Sequence, residues 1–570
     1  MRNKALLCLL FLTFLLPAWA CRSQEKAAAG RHGGTLRYAL EREPASFNPA
    51  LAVDVRTKLF AKLTAATLVE TDQRDFSVRP ALASAWKRQQ DGKTLLVALR
   101  KDIRFSDGAP LTSDDVVFTF NAITDEKSGS PYRDTLRFAG QPVTCEKVDD
   151  HSVRLTFAAG LPVGIEATLS EVPILPKRRL QPKMTAPLGE LWTLSTPPSE
   201  MAGLGPFVIE QHLPGQKTVL ARNPHYWKSG DAGGRLPYLD RIEIGYVPDR
   251  NTQLLRFQSG ELDLLDQYLR PEDFKTLREQ PDRYHVENVG PGLQLDLMWL
   301  NLNDPATTPS RLDRAKRAWF QNEDFRRALA HAIDRQAIVD NVYGGLATIT
   351  FGLVPASLKN WHSAAAPSYA HDPNRALELL RSAGFTLKES SGQKTLLDPR
   401  GQPVRFALAL RTGNAISQGI GTLIQEDMAR IGIQTQVDPQ DFVTLISKIQ
   451  NSFDYEAIFF SMTIPLDPSE MGNVLRSDAM MHPWAPRQKK PATEWEARID
   501  QMMDRISIEA SPTERRKLFD EVQTILGQRS PIIPLVTRNV LLAARKNLKG
   551  LRPAITNPPS LWNSWELHFE

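Results

Sequence analysis

Phe105-Ser106-Asp107-Gly108-Ala109-Pro110-Leu111-Thr112-Ser113-Asp114-Asp115-Val116-Val117-Phe118-Thr119-Phe120 packs a turn, a helix start and a buried helix face into one short run. Asp107-Gly108 is a turn pair, and Pro110 keeps helix from forming just before Thr112. Thr112 has the character of an N-cap. Asp114 and Asp115 fall in the first turn, where the helix dipole favours negative charge. Val116, Val117 and Phe120 supply the buried face.

Outward from this run, the N-terminus reads as a secretory signal over 1–20. Arg2 and Lys4 form the basic region, 6–16 is apolar apart from Thr13, and Ala18-Trp19-Ala20 fits a small-x-small cleavage site. The apolar run is too short for a permanent membrane span. Cys21 follows the cleavage site directly, and the small and charged residues to position 33 read as a tether. Of the three cysteines, Cys8 leaves with the signal, and Cys145 lies in a strand-like run over 143–157. With Cys21 acylated, Cys145 would be alone and no internal disulfide possible, so stability would come from packing. The 570 residues exceed what one core serves and imply more than one domain. Lys plus Arg number 70 and Asp plus Glu 65, a net charge of +5 that falls to +3 once Arg2 and Lys4 are removed. The charges are interspersed, which is a solvated surface and not a nucleic-acid footprint.

The body mixes short strands and helices. Gly34-Thr35-Leu36-Arg37-Tyr38-Ala39-Leu40 reads as a strand, followed by the loop Glu43-Pro44-Ala45-Ser46-Phe47-Asn48-Pro49. Pro80-Ala81-Leu82-Ala83-Ser84-Ala85-Trp86 leads to a strand over 94–100. Gly203-Leu204-Gly205-Pro206-Phe207 opens a hairpin around Pro214-Gly215 that closes at Asn223-Pro224-His225-Tyr226-Trp227. A strand from Leu239 precedes a helix around 253–257, which leaves through Ser259-Gly260-Glu261-Leu262-Asp263 with Gly260 at its C-terminus. The spacing predicts one helix over 324–342, stopped by Gly344-Gly345. Asp372-Pro373 starts another that ends at Gly384. Ser511-Pro512-Thr513-Glu514 is a capping box, Thr493 and Glu496 share that spacing, and the run Pro531-Ile532-Ile533-Pro534-Leu535 follows. This alternation argues an α/β chain of more than one lobe.

These landmarks, with Arg326-Arg327-Ala328-Leu329-Ala330-His331-Ala332-Ile333-Asp334-Arg335, resemble in order those of the family 5 extracellular solute-binding proteins, the peptide and nickel receptors of ABC importers. The resemblance runs from Gly34 to Leu535. It implies the two-lobed periplasmic binding protein fold (class II type) with an extra domain inserted in lobe I. Lobe I would hold 30–65, 201–298 and 538–570, the inserted domain 66–200, and lobe II 299–537. The implied function is to capture a solute, a peptide or oligopeptide, in the cleft between the lobes and deliver it to an inner-membrane permease. No cofactor, metal or covalent chemistry is implied. Cys21 resembles the lipidated first residue of a bacterial lipoprotein, which would hold a monomer at the periplasmic side of the cell envelope.

The resemblance also assigns ligand contacts. In peptide-binding members a lobe II strand forms a ladder with the peptide backbone, and the matching segment is Ile458-Phe459-Phe460-Ser461-Met462-Thr463. Alternation along a strand sends one of Phe459 and Phe460 into the core. Phe460, Ser461, Met462 and Thr463 are thus candidate contacts, with Phe442, Trp299 on a hinge strand, and Val53 and Asp54 from a lobe I loop. Peptide receptors of the family carry an Asp shortly after the ladder segment, which pairs with the peptide's α-amino group. Thr463 and Ile464 stand there instead. Either Asp54 or Asp467 supplies that charge, or the cargo is not a peptide with a free N-terminus. The alternatives are a receptor for a sugar or metal chelate, for which His482 near Trp484 is the candidate histidine, and a ligand-sensing lipoprotein. Against an enzyme, the chain has no G-x-S-x-G, no H-E-x-x-H and no Gly-rich P-loop with Lys. Arg538, Trp562 and Trp565 fall in the C-terminal return to lobe I.

Overall fold

Thr112 does begin a helix, and its neighbours show why this run is so constrained. The helix spans Ser113–Thr124. Thr112 donates its N–H and its hydroxyl to Asp115 Oδ2 at 3.0 and 3.2 Å. The other oxygen of Asp115 accepts the N–H of Lys177 at 2.9 Å. Thr119 donates its hydroxyl to the Asp115 carbonyl and accepts the N–H of Leu175. One acid thus caps the helix and fastens it to a distant segment. Upstream, Gly108 takes φ +84° in the expected turn, and Asp107 pairs with both Arg178 and Arg179 at 2.8 Å. Val116 and Phe120 are fully buried.

The computed structural model describes residues 31–570 apart from 53, 139, 159, 231–233, 267–268, 304–311, 480, 487 and 510. The expected signal segment and Cys21 lie outside the described residues. Contacts divide the chain into two compact units, one ending at Glu287 and resuming over Leu541–Glu570, the other Asn288–Val540.

In the first unit the named elements are β1 (Thr35–Leu40), α1 (Val55–Thr64), β2 (Ala83–Arg88), β3 (Thr94–Leu99), α2 (Ser113–Thr124), β4 (Thr144–Asp149), β5 (Ser152–Thr156), β6 (Phe207–Leu213), β7 (Lys217–Arg222), β8 (Arg241–Tyr246), α3 (Arg250–Ser259) and β9 (Leu264–Leu265). They build two sheets, β1-β8-β7-β6 and β2-β3-β5-β4. The expected single run over 143–157 is a hairpin, because Asp150-His151 turns the chain between β4 and β5. Each sheet has its own apolar core. One gathers Leu82, Val97, Phe105, Val116 and Phe157, the other Leu36, Phe60, Phe207, Leu220 and Ile244. Gly203 and Gly205 lie against the C-terminal end of α1. A Cβ on Gly203 would collide with the carbonyl oxygen of Thr64, and one on Gly205 with that of Leu63. Cys145 is buried, and burial pushes its thiol up to about 12, so it stays protonated and inert.

The long strand β10 (Tyr284–Leu300) leads into the second unit. There follow α4 (Glu323–Ala332), α5 (Arg335–Asn341), β11 (Ala347–Ile349), α6 (Pro373–Ser382), β12 (Arg405–Arg411), α7 (Ala415–Arg430), β13 (Gln434–Gln440), α8 (Phe442–Ser447), β14 (Ala457–Thr463), α9 (Glu494–Ile508), α10 (Pro512–Arg529) and β15 (Ile532–Arg545). The strand order is β15-β10-β14-β12-β13, with β11 on β15. β12 runs parallel to both β13 and β14, and β14 antiparallel to β10. Helix α7 is the crossover that parallel neighbours require.

The helix expected over 324–342 is two helices. Ile333 is extended, and Asp334 caps α5 by accepting the N–H of Ala337 at 3.0 Å. The break exposes the reason for the two arginines of this motif. Arg326 donates to the carbonyls of Phe320, Gln321, Arg529 and Ser530. Arg335 donates to those of Pro534, Ala330 and Tyr369. Both are buried, and burial lowers each guanidinium to about 10. They act as multi-pronged donors for chain ends that would otherwise bury bare carbonyls. Replacing Arg335 by Met should strand those acceptors and cost about 3 kcal/mol in urea unfolding of the full chain. A loss below about 1 kcal/mol would remove this role.

Candidate functional site

The carboxyl ends of β12, β13 and β14 lie on one edge of the second unit's sheet, where open α/β sheets receive ligands. The pairing of β14 makes this edge unusual. On one side β14 matches β10 over its whole length, from Ala457↔Leu300 to Thr463↔Gln294. On the other it pairs with β12 at Ala457 and Ile458 only. Among the described residues no strand covers that side of Phe459–Thr463. Its backbone groups form a ready template for another extended chain.

The two faces of this strand differ. Phe459 is buried in the main core of the unit beside Met298 and Phe406. Phe460 points the other way, half-buried, its ring 6.0 Å from the buried Trp299 in a T-shaped pair. Trp299 is therefore packed behind Phe460 and not presented at the surface. Met462 is half-buried and Thr463 exposed, whereas Ile464 is buried and tied back to β10 through the carbonyl of Leu293. Phe442 opens α8 just past β13 and is 48% exposed. The Arg411 guanidinium, at the end of β12, sits 5.2 Å over its ring. Sequence reasoning passed over Arg411, although a basic residue closing the apolar run 406–410 was a visible signal.

Ser461 is engaged internally. It faces Asp296 directly across the β10–β14 ladder and donates its hydroxyl to that carboxylate. Tyr343 donates its hydroxyl to the other oxygen. Arg538 completes the cluster with Nη2 2.9 Å from Asp296 Oδ1 and 2.7 Å from Ser461 Oγ. Asp296 has no solvent exposure and the Arg538 side chain 21%. Burial opposes the charge on Arg538, but Asp296 and Tyr343 outweigh it and raise the guanidinium above its ordinary value. Burial and then the Asp296 carboxylate drive the Tyr343 phenol far upward, which keeps it a donor. Arg538 thus has an electrostatic task that its sequence position did not disclose.

The carboxylates proposed for an amine are both committed. Asp54 caps α1, accepting the N–H groups of Arg56 and Thr57 and the Thr57 hydroxyl at 2.6 Å. Burial works against its charge, but these bonds and the Arg56 guanidinium hold its pKa below the ordinary value. Asp467 caps the turn at Pro468–Met471 through the N–H and hydroxyl of Ser469, and it pairs with both terminal nitrogens of the buried Arg515. Asp54 belongs to the first unit and the other described candidates to the second. Val53 lies outside the described residues.

His482 is wholly enclosed rather than presented to a ligand. Its ring lies 4.0 Å from that of Trp484, and its Nδ1 contacts the carbonyl of Val474 at 3.1 Å. Nearby Glu496, the capping-box acid of α9, accepts from Trp484 Nε1, Gln488 and Thr493. Burial opposes its charge, yet the His482 ring nitrogen 3.8 Å away and the bonds from Gln488, Trp484 and Thr493 hold its pKa near 2. Among the described residues no group of three or more His, Cys, Asp or Glu is arranged to hold a metal, and no helix is long and apolar enough to cross a membrane.

A receptor built on a two-unit α/β chain is the class these features define. Residues 77–480 match the family described as bacterial extracellular solute-binding proteins, family 5 Middle. The chain belongs to that family, and its function is that of the substrate-binding component of an ABC importer. It is 28% identical over 467 residues to a probable ABC transporter-binding protein of Deinococcus radiodurans, covering 79% of this chain and 76% of that one. It is 25% identical to the nickel-binding periplasmic protein of Escherichia coli, over 84% of each. The oligopeptide-binding protein AppA of Bacillus subtilis, solved with a nonapeptide, shares the fold with a TM-score of 0.69 at 22% identity, covering 95% of this chain and 99% of that one.

Two measurements check the buried charges. Arg538→Met leaves Asp296 buried without its cation and should cost about 3–5 kcal/mol in urea unfolding, whereas adding Asp296→Asn should restore part of that loss. Equal stability of the parent and Arg538→Met would show that the pair contributes nothing. For Glu496 the folded pKa lies below the unfolded one. Its contribution is therefore full above the ordinary value of 4.5 and vanishes as pH falls through about 2. The parent should lose roughly 3 kcal/mol more than Glu496→Gln across that window. Parallel stability curves for the two proteins would contradict this.

Proposed function

We propose that the chain takes up an extended peptide, which adds its backbone as a strand to the open side of Phe459–Thr463. The observation that carries this reading is the pairing of β14, complete along β10 and limited to Ala457 and Ile458 along β12. Main-chain bonds of this kind give affinity without regard to side-chain identity. Phe460, Met462 and Thr463 border that edge, and Phe442 with Arg411 stands at the ends of the neighbouring strands. The AppA complex with a nonapeptide supports the peptide class by kinship of fold.

The mode of holding the peptide follows from the acids. With Asp54 acting as a helix cap and Asp467 paired to Arg515, neither of the two candidate carboxylates stands free for an α-amino group. We infer that backbone bonds dominate and that a blocked N-terminus is tolerated. In the same reading 1–20 is removed on export, Cys21 is lipidated, and a monomer works at the outer face of the inner membrane. It hands its cargo to the permease without chemical change and without nucleic acid. The sheet β2-β3-β5-β4, with its own core, corresponds to the inserted domain over 66–200.

The test is native mass spectrometry of residues 22–570 purified gently from cells. A heterogeneous series of short peptide masses is expected. A single non-peptide mass would overturn the peptide reading. N-acetylated and free forms of one captured peptide should then bind within about threefold of each other by calorimetry. A hundredfold preference for the free amine would show that a carboxylate does anchor it.

A further inference from the structure

The largest cavity described in the first unit shares no lining residue with the β14 edge. It measures about 680 Å³, within the range of small-molecule sites. Its lining comes from α1, from the segments around 70–81 and 100, from Tyr226–Ser229 and from the C-terminal residues 552–566. One wall is aromatic. Trp562 and Trp565 meet at 88° with centroids 6.4 Å apart, which makes a corner of two indoles. Tyr226 and Trp227 continue that wall.

Beside the aromatic wall stands a group of donors. The Lys228 ammonium lies 3.8 Å from the Trp565 ring centroid and 5.3 Å from that of Trp227, and its side chain is only 15% exposed. Glu70, at 2.6 Å, is its carboxylate partner. The Arg100 guanidinium lies 5.5 Å from the Trp227 centroid and donates Nε to the carbonyl of Ala81. Among the described residues its terminal nitrogens have no partner. The indole N–H of Trp227 is likewise buried without a partner. Burial lowers the pKa of Lys228, and the Glu70 carboxylate only partly offsets it. Basic side chains outnumber carboxylates around the cavity as a whole. A wall of indoles beside unfilled donors calls for an occupant with a flat body and acceptor oxygens.

We propose that this cavity is a second ligand site, for a small organic acid that carries a flat ring. Its carboxylate meets Lys228, Arg100 and the Trp227 N–H, and its ring lies in the corner of Trp562 and Trp565. A structural account, in which Lys228 simply ties Glu70 to the indoles, explains the ion pair but not the unpartnered Trp227 N–H, the terminal nitrogens of Arg100 or a cavity of this size.

The probe is 4-hydroxyphenylacetate, titrated into residues 22–570 by calorimetry and saturation-transfer NMR. Acetate serves as the ring-free control and 4-hydroxyphenylethanol as the charge-free one. Saturable binding is expected, at least roughly tenfold tighter than either control. Lys228→Met should weaken it about tenfold or more, and Trp227→Phe, which removes the N–H while keeping an aromatic ring, by about threefold or more. Phe442→Ala should leave this binding unchanged, which separates the cavity from the β14 edge. Melting curves establish that each variant is folded, and Arg100→Gln replaces Lys228→Met if that variant is not. No binding, binding matched by acetate, or binding lost in Phe442→Ala but kept in both cavity variants would overturn the proposal.

Discussion

A carboxylate without solvent exposure sets the terms for the second unit. Asp296 is held by Ser461 across the ladder, by Tyr343 from the turn after α5, and by Arg538 from β15. Three strands and one turn are thereby fixed to a single anion, and any shift of β10 against β14 would separate Asp296 from Ser461. Because a one-residue slip inverts every side chain of a strand, the same contact keeps Phe459 in the core and Phe460 outside it. The protonated phenol of Tyr343 belongs to this arrangement, since a phenolate beside Asp296 would repel it. The open side of β14 can serve as a template because its other side is held in this way.

How much of this was legible depended on distance along the chain. The block from Phe105 to Phe120 could be read because its cap, turn and apolar face are local. The reason its acid is buried, a bond to the N–H of Lys177, is not local. Gly203 and Gly205 were visible as a motif, but their cause is the approach of α1, far earlier in sequence. The break between α4 and α5 was missed because the apolar spacing runs on through Ile333, masking Asp334 as a second cap. Period two along β14 correctly separated Phe459 from Phe460. The cluster around Asp296 had no sequence signature, since Arg538 and Asp296 stand 242 positions apart. Arg411 earned its place only when β12, β13 and β14 came to a common edge.

The remaining charges explain why backbone recognition suits this edge. Asp467 is paired to Arg515, Glu496 collects donors from Trp484, Gln488 and Thr493, and Arg326 and Arg335 are spent on carbonyls. Each is engaged within the protein, where releasing it to a ligand would strand a buried partner. What borders the open side of β14 is peptide N–H and C=O, an aromatic ring, a thioether and a hydroxyl. Such groups discriminate weakly by ligand charge, and Met adapts its shape readily. In the proposed mode of binding, selectivity at this edge rests on whether the cargo can lie extended beside β14, a requirement of backbone geometry that many sequences meet.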